Sequence, residues 1–241
     1  FAGRIACSRA ARAAAGEGPH VFAREVSYRH DGTGFTLDAS FGSARISTAL
    51  LGEFNVDNVL AVLAVLLGSG VPVADAASVL RTISAPPGRL ETFTRDGGAT
   101  AVVDYAHTPD ALAKALAVLR RHCAGTLTVV FGCGGDRDRG KRPQMAAVAA
   151  RGADRIVITD DNPRSEDGGA IIEDIRAGLG GREARVIRDR GTAISTALAD
   201  ASAGDVVLIA GKGHEEYQIV GAEVRPFSDR ALARQWQEGR A

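Results

Sequence analysis

The spacing of apolar and polar residues divides the chain into two parts of different character. Residues 21–50 are predicted to form a short antiparallel β-meander, because apolar and polar positions alternate over 33–40. Apolar residues then recur at helical spacing over 54–70, and a second helix is predicted over 73–83. We expect a domain boundary in the proline- and glycine-rich connection that follows, 84–91.

After about residue 99, five short apolar runs alternate with helical stretches. The predicted strands are 100–106, 126–132, 155–161, 184–189 and 205–211. Thr108 and Pro109 suit the N-cap and first position of the helix after the first strand. Further helices are predicted over about 143–152, 168–178 and 190–202. This alternation indicates an α/β fold with a parallel sheet covered on both faces.

Glycines and charged residues follow each predicted strand at its carboxyl end. The segments are 104–110, 132–142, 160–167, 188–190 and 211–218. Ligands of open parallel sheets bind beyond the carboxyl ends of the strands, so these segments together predict a binding site. Taken singly, each has a plainer explanation, such as a solvated loop for 132–142 or a turn and helix cap for 160–167. His107 and His214, each taken singly, are more typical of residues that make local hydrogen bonds than of catalytic residues.

The charged residues in these segments favour an amino acid as the ligand. Arg137 and Arg164 offer planar donors suited to carboxylates. Asp161 and Glu215 offer acceptors suited to an ammonium group. A pocket with both kinds would suit a zwitterion, and two arginines would suit one with more than one carboxylate. The sequence does not show whether the four side chains converge.

Composition narrows the class of protein. A net charge of zero and a pI of about 7.1 predict neither nucleic-acid binding nor attraction to an anionic membrane. The longest apolar run, 59–71, is too short to span a bilayer. Three scattered cysteines form neither a disulfide framework nor a zinc pattern, so a cytoplasmic location is expected. Because the chain lacks an initiator Met, we expect a fragment.

One segment nearly matches a phosphate-binding loop. Gly135 to Lys141 fits G-x-x-x-x-G-K, but Arg142 stands where Ser or Thr would hold magnesium. Lys141 and Lys212 are two of only three lysines among 29 basic residues, and both lie in glycine-rich loops. Such loops could need a compact ammonium donor, or the placement could be chance. No strand is followed by G-x-G-x-x-G, so a dinucleotide-dependent dehydrogenase lacks support.

Six motifs in order resemble those of the Mur ligase family. They are GEFNVDNVLAV, PPGRLE, VDYAHTPDAL, FGCGGDRDRGKRP, DNPRSED and GKGHEEYQ. The resemblance covers the chain from about residue 20 and implies two parts. Residues 1–90 would be the C-terminal part of a central ATPase domain, and 91–241 a Rossmann-like C-terminal domain. The family's phosphate-binding loop and most of its magnesium ligands would lie upstream.

The resemblance also implies roles for individual residues. The DNPR motif marks family members that use meso-diaminopimelate. The residues expected to bind that amino acid are Arg137, Asp161, Asn162, Pro163, Arg164, Gly211 and Glu215. Those expected near the nucleotide are Asn58, Arg89 and Asp104. No residue is assigned to catalysis or to a metal, and Tyr105, His107 and His214 are left without a role.

The implied reaction joins meso-diaminopimelate to UDP-N-acetylmuramoyl-L-alanyl-D-glutamate (UDP-MurNAc-L-Ala-D-Glu) in peptidoglycan synthesis. ATP, with Mg²⁺, would convert the free carboxylate to an acyl phosphate that the amine then attacks. This chain alone is expected to be inactive, and its partners to be these small molecules without nucleic acid or membrane. The alternatives are a lysine-adding or folylpolyglutamate synthetase-like ligase of the same superfamily, or a non-catalytic amino-acid-binding module.

Overall fold

The computed structural model describes residues 5–9, 18–95 and 97–239. These fall into two compact units, Phe1–Ser84 (the first unit) and Ala85–Ala241 (the second unit). The division lies at the start of the proline- and glycine-rich connection, whereas the sequence analysis set the domain boundary after residue 90. No helix in the described ranges is long and apolar enough to cross a membrane.

The first unit is built on a four-stranded sheet. Its strands are β1 (Ala6–Ser8), β2 (His20–Arg29), β3 (Gly32–Ala39) and β4 (Gly42–Thr48), hydrogen-bonded in that order. Strands β2, β3 and β4 are antiparallel, which confirms the predicted meander. The sequence analysis missed β1, which pairs in parallel with β2, because three residues are too few to show an alternation.

Two helices complete the first unit. Helix α1 (Glu53–Gly68) matches the prediction, while α2 (Val73–Leu80) ends before the predicted residue 83. The buried positions of α1 include Leu60 and Leu63, and the sheet contributes Phe35, Leu37 and Ile46 to the buried residues of this unit. Burial of this apolar surface supplies most of the stability that short helices lack on their own.

The second unit contains a six-stranded sheet. Its strands are β5 (Glu91–Thr94), β6 (Thr100–Asp104), β7 (Leu127–Phe131), β8 (Arg155–Ile158), β9 (Arg185–Val186) and β10 (Val206–Ala210). The spatial order is β5-β6-β10-β7-β8-β9, and all pairs are parallel except β5–β6. The five strands predicted from the apolar runs are confirmed. Each is shorter than its run, and β9 keeps only two of the six residues predicted over 184–189. The antiparallel edge strand β5 was missed.

Helices cover both faces of this sheet. They are α3 (Pro109–His122), α4 (Lys141–Gly152), α5 (Gly168–Arg176), α6 (Arg190–Ala199) and α7 (Asp229–Gln237). Thr108 caps α3 as predicted, since its Oγ1 accepts from the Ala111 N–H. Helices α6 and α7 pack on one face through a cluster that includes Ile194 and Trp236. Helix α3 packs against β10, and alternate strand residues such as Leu208 are also fully buried.

Strand β10 lies between β6 and β7, although it is the last of the six in sequence. The chain therefore changes direction across the sheet at this point, which is where ligands of such folds bind. The loops that follow β6, β10, β7 and β8 leave the same edge because these strands are parallel. A hairpin of β11 (Tyr217–Val220) and β12 (Glu223–Pro226) extends the loop after β10.

Candidate functional site

Glycines allow the loops after β7 and β8 to touch along their backbones. A Cβ on Gly132 would overlap the Thr159 carbonyl oxygen, and one on Gly135 would overlap that of Pro163. The Gly135 N–H donates to the Asn162 carbonyl at 2.9 Å. Because a side chain at either glycine would force the loops apart, their identity fixes the distance between the two predicted binding segments.

The near-match to a phosphate-binding loop has a structural role instead. The Arg142 guanidinium is fully buried, and it pairs with Glu166 at 2.9 Å and with Asp174 at 2.8 Å. Lys141 Nζ donates to the His107 carbonyl at 2.9 Å. Hydrogen bonds from Arg142, and next from the Asp136 N–H, lower the pKa of Glu166 to about 2. The two cations therefore fasten the loop after β7 to its neighbours.

Asn162 is the centre of a buried polar network. Its Oδ1 accepts from Lys212 Nζ at 2.8 Å and from the Ile219 N–H at 2.9 Å. Its Nδ2 donates to Glu215 Oε2 at 3.2 Å. Two predicted site residues, Asn162 and Glu215, thus lie in direct contact although 53 positions separate them.

The two predicted arginines flank Gly134. A Cβ placed on Gly134 would lie 2.8 Å from Arg164 Nη1 and 3.7 Å from Arg137 Cγ. Arg164 has a left-handed backbone, with φ 53°, and its Nη1 donates to the Gly135 carbonyl at 2.8 Å. Arg137 is exposed, and its Nη1 donates to the Asp136 carbonyl at 3.0 Å. The two guanidinium groups, which are donors suited to a carboxylate, thus lie on the two sides of one glycine.

Asp161 and Gly211 lie together against a fully buried ion pair. A Cβ on Gly211, which has φ 121°, would lie 2.7 Å from Asp161 Oδ2. That oxygen is 3.9 Å from Arg190 Nη1. Arg190 is paired with Asp229 through two hydrogen bonds of 2.8 Å. The sequence analysis did not identify Arg190 or Asp229, because nothing in their local sequence marks them as buried.

Lys212 is a further residue that the sequence analysis did not place in the site. Its side chain is fully buried, and burial lowers the pKa of its ammonium group. Besides Asn162, it donates to the Tyr217 carbonyl at 2.8 Å and lies 3.6 Å from Glu215 Oε2. Its position between two glycines was the feature of the sequence that could have identified it. Both Gly211 and Gly213 have positive φ.

Two of the residues expected near the nucleotide lie in adjacent segments of the second unit. The Arg89 guanidinium lies 4.9 Å from the centroid of the Tyr105 ring. Asp104 Oδ2 accepts from the Leu90 N–H at 2.8 Å, and burial raises the pKa of Asp104. The third residue, Asn58, is exposed on α1 of the first unit, where its Nδ2 donates to Asn55 Oδ1.

The three residues left without a role form an aromatic cluster. The Tyr105 ring lies 4.6 Å from that of His107 and 5.2 Å from that of His214. Across the described part of the chain, no three His, Cys, Asp or Glu side chains are grouped so as to hold a metal ion. The described His, Cys, Asp and Glu side chains therefore do not by themselves form a site for magnesium.

Comparison with known proteins assigns the class. The family model described as "Mur ligase, glutamate ligase domain" matches residues 88–213. The chain belongs to the Mur ligase family. It is 49% identical over 219 residues to a Vibrio vulnificus protein named UDP-N-acetylmuramoyl-L-alanyl-D-glutamate--2,6-diaminopimelate ligase, covering 89% of this chain and 44% of the relative. A Vibrio cholerae protein of the same name is 48% identical, with 90% and 44% covered.

The fold comparison agrees. A solved structure described as UDP-N-acetylmuramoyl-L-alanyl-D-glutamate--2,6-diaminopimelate ligase superposes with a TM-score of 0.81 at 38% identity. The match covers 97% of this chain and 47% of that structure. The chain thus spans a little under half the length of the relatives that it matches.

Proposed function

We propose that this chain is the amino-acid-binding part of an ATP-dependent ligase that adds meso-diaminopimelate to UDP-MurNAc-L-Ala-D-Glu. The observation that carries the proposal is the contact between Asn162 and Glu215 beside the arginine pair at Gly134. It places donors for a carboxylate and an acceptor for an ammonium at one sheet edge. The names of the 48–49% identical relatives support the choice of substrate.

The proposed roles divide the substrate between opposite charges. Arg137 and Arg164 hold the carboxylate of the distal end, with Asn162 as a further donor. Glu215 and Asp161 hold the distal ammonium group. Pro163 and Gly211 shape the loop backbones, since each lies against a neighbouring segment without a gap. The other amino group of the substrate is then free to react.

The reaction needs activation because a carboxylate is a poor acyl donor. ATP supplies the phosphoryl group, so that ADP leaves and an acyl phosphate forms on the D-glutamate carboxylate. The free amine of diaminopimelate attacks the acyl carbon, phosphate leaves with its electron pair, and the nitrogen loses a proton as the amide forms. The residues of this chain contribute orientation, which removes much of the entropic barrier to joining two molecules.

The nucleotide assignments remain part of the proposal. Arg89 offers a guanidinium and Asp104 a carboxylate beside the Tyr105 ring, which are groups suited to a nucleoside. Asn58 is proposed for the same nucleotide on the resemblance alone. Magnesium is expected with ATP, held mostly by residues outside this chain. A cytoplasmic location and small-molecule partners go with this reaction.

Calorimetric titration of the chain with meso-diaminopimelate, with L-lysine as the comparison ligand, tests the proposal. We expect meso-diaminopimelate to bind much more tightly than L-lysine, because lysine lacks the second carboxylate that Arg164 would hold. Arg164→Ala should weaken binding by at least about tenfold, as loss of a hydrogen bond to a charged group does. Arg176→Ala, which removes an exposed ion pair with Glu173, is the control and should bind normally.

Three results would overturn parts of the proposal. Equal binding of lysine would favour a lysine-adding ligase of the same family. Failure of the folded chain to bind either amino acid would remove the amino-acid site from this chain. Normal binding by Arg164→Ala would withdraw the role given to Arg164.

A further inference from the structure

Lys212 buries its ammonium group completely in the loop after β10. A charged amine is expensive to bury unless it is hydrogen-bonded and paired. Lys212 meets both conditions through Asn162 Oδ1 and the Tyr217 carbonyl, each at 2.8 Å, with Glu215 Oε2 at 3.6 Å. Such a costly group in a binding loop calls for a reason beyond filling space.

The consequence of these contacts is a fixed orientation for the Asn162 amide. An asparagine can present either its oxygen or its nitrogen to a ligand, since the two ends have the same shape. Here an ammonium and the Ile219 N–H both donate to one end, which must therefore be the oxygen. The nitrogen end necessarily faces Glu215. The amide nitrogen carries two hydrogens, of which Glu215 accepts one, and the proposed function requires the other to be donated to the ligand.

The charge around Lys212 is matched to the same ligand. Asp161, Glu215 and Asp229 act on Lys212 as negative charges, and Arg190 acts as a positive one. Three carboxylates against two cations leave one negative charge in excess, which suits one ligand ammonium group. Without Lys212 the excess would be larger, and it would oppose a ligand carboxylate near Asn162.

We propose that Lys212 is a positioning residue that turns the Asn162 amide nitrogen toward the ligand and so selects a diamino acid with two carboxylates over one with a single carboxylate. This inference rests on the proposed function. Lys212 does not itself contact the substrate: it acts through Asn162. The ammonium of the ligand goes to Glu215, and its distal carboxylate goes to Asn162 Nδ2 and the neighbouring arginines.

The first test is Lys212→Met, which keeps much of the side-chain volume and removes the donor. Titration should show about tenfold weaker binding of meso-diaminopimelate, the effect of losing a hydrogen bond to a charged group. Weak binding of L-lysine should be unchanged, so the ratio of the two affinities falls. A general loss of stability would weaken the binding of both ligands equally and would therefore leave the ratio of their affinities unchanged. Unchanged affinity for meso-diaminopimelate overturns the inference.

The second test does not depend on the folding of Lys212→Met. Asn162→Asp keeps the acceptor for Lys212 and the shape of the side chain, but replaces the amide donor by an acceptor. We expect a folded protein that has lost binding of meso-diaminopimelate and its preference over lysine. Retained selection by Asn162→Asp overturns the inference. In a double-mutant cycle, Lys212→Met should add little to Asn162→Asp, because both act through the same amide.

A third measurement separates failure of the inference from failure of the proposed function. The two Nδ2 protons of Asn162 should give a shifted, slowly exchanging pair in the NMR spectrum of the free chain. Lys212→Met should abolish that pair, whereas Arg176→Met, which removes an exposed ion pair with Glu173, should keep it. If the Asn162 proton pair is shifted and slowly exchanging in a chain that binds no meso-diaminopimelate, the proposed function is rejected. The proposed selection of ligands with two carboxylates is then rejected with it. An Asn162 pair that Lys212→Met leaves unchanged would reject the positioning role alone.

Discussion

The two edges of the parallel sheet differ in how they use charge. At the amino-terminal edge a cavity of about 670 Å³ is lined by several arginines, among them Arg155, Arg176, Arg182 and Arg185. At the carboxyl edge the described cations include three that are fully buried, namely Arg142, Arg190 and Lys212. The first edge holds an open cavity, and the second holds buried charged side chains.

The ion pair of Arg185 at the amino-terminal edge is exposed to solvent. Arg185 pairs with Asp200 at 3.2 Å, but both side chains are more than half exposed, at 57% and 58%. Exposed pairs of this kind contribute about 0–1 kcal/mol to stability. The Arg190–Asp229 pair, in contrast, has no exposed side-chain surface on either partner. The proposed site thus coincides with buried charge and close-packed glycines, and the open cavity lies at the other edge.

The largest effect should come from breaking the buried pair. Arg190→Met leaves the Asp229 carboxylate buried without its partner, and we expect a loss of about 3–5 kcal/mol in the free energy of unfolding. Arg185→Met is the matched change at the other edge and should lose less than about 1 kcal/mol. Urea denaturation of both variants measures the difference. Equal losses would remove the distinction between the edges.

A smaller effect should follow from adding one methyl group between the loops. Gly135→Ala would push against the Pro163 carbonyl, so we expect a loss of about 1–3 kcal/mol in unfolding free energy and weaker binding of meso-diaminopimelate. Gly191→Ala is the control, because its added Cβ would make only ordinary contacts, 3.5 Å from Asp189 Oδ1 and 3.8 Å from Phe227. Stability of Gly191→Ala should be unchanged or slightly higher. A stable Gly135→Ala with normal binding would argue against fixed loops.

The smallest effect concerns pH. Because the folded state lowers the pKa of Glu166 from 4.5 to about 2, the ionised carboxylate stabilises the fold above pH 4.5. That stabilisation is lost as the pH falls through about 2. The difference in unfolding free energy between the wild type and Glu166→Gln should therefore narrow over this range. A constant difference down to pH 2 would mean that Arg142 does not hold Glu166 as the structure indicates.

The sequence predicted the parts of the second unit that local patterns govern. The helix start at Thr108 and Pro109 follows from capping chemistry, and the apolar runs locate the parallel strands. Strand order could not be predicted, because the insertion of β10 between β6 and β7 depends on pairing between segments that are far apart in the sequence. The edge strand β5 is only four residues long, and no helix was predicted beyond residue 218, where α7 lies.

The candidate site was predicted by residue type and not by burial. Arg137 and Arg142 lie five positions apart, the first in the loop after β7 and the second at the start of α4, yet the first is exposed and the second is fully buried. No local pattern separates them, because the partners of Arg142 come from segments more than 20 residues away. The sequence marked Lys212 as a lysine in a glycine-rich loop but not its role in the site, since its partner Asn162 is 50 positions distant.

The central position of β10 has a consequence for the order in which the protein is made. Residues 206–210 leave the ribosome after every other strand of the sheet, so β6 and β7 each keep an unpaired edge until then. Such edges are sites of aggregation, and the nascent second unit should depend on chaperones or on rapid completion of synthesis. Gly211 and Lys212 follow β10 directly, so closing the sheet and assembling the pocket are one event. A nascent chain that ends before residue 206 can therefore possess neither.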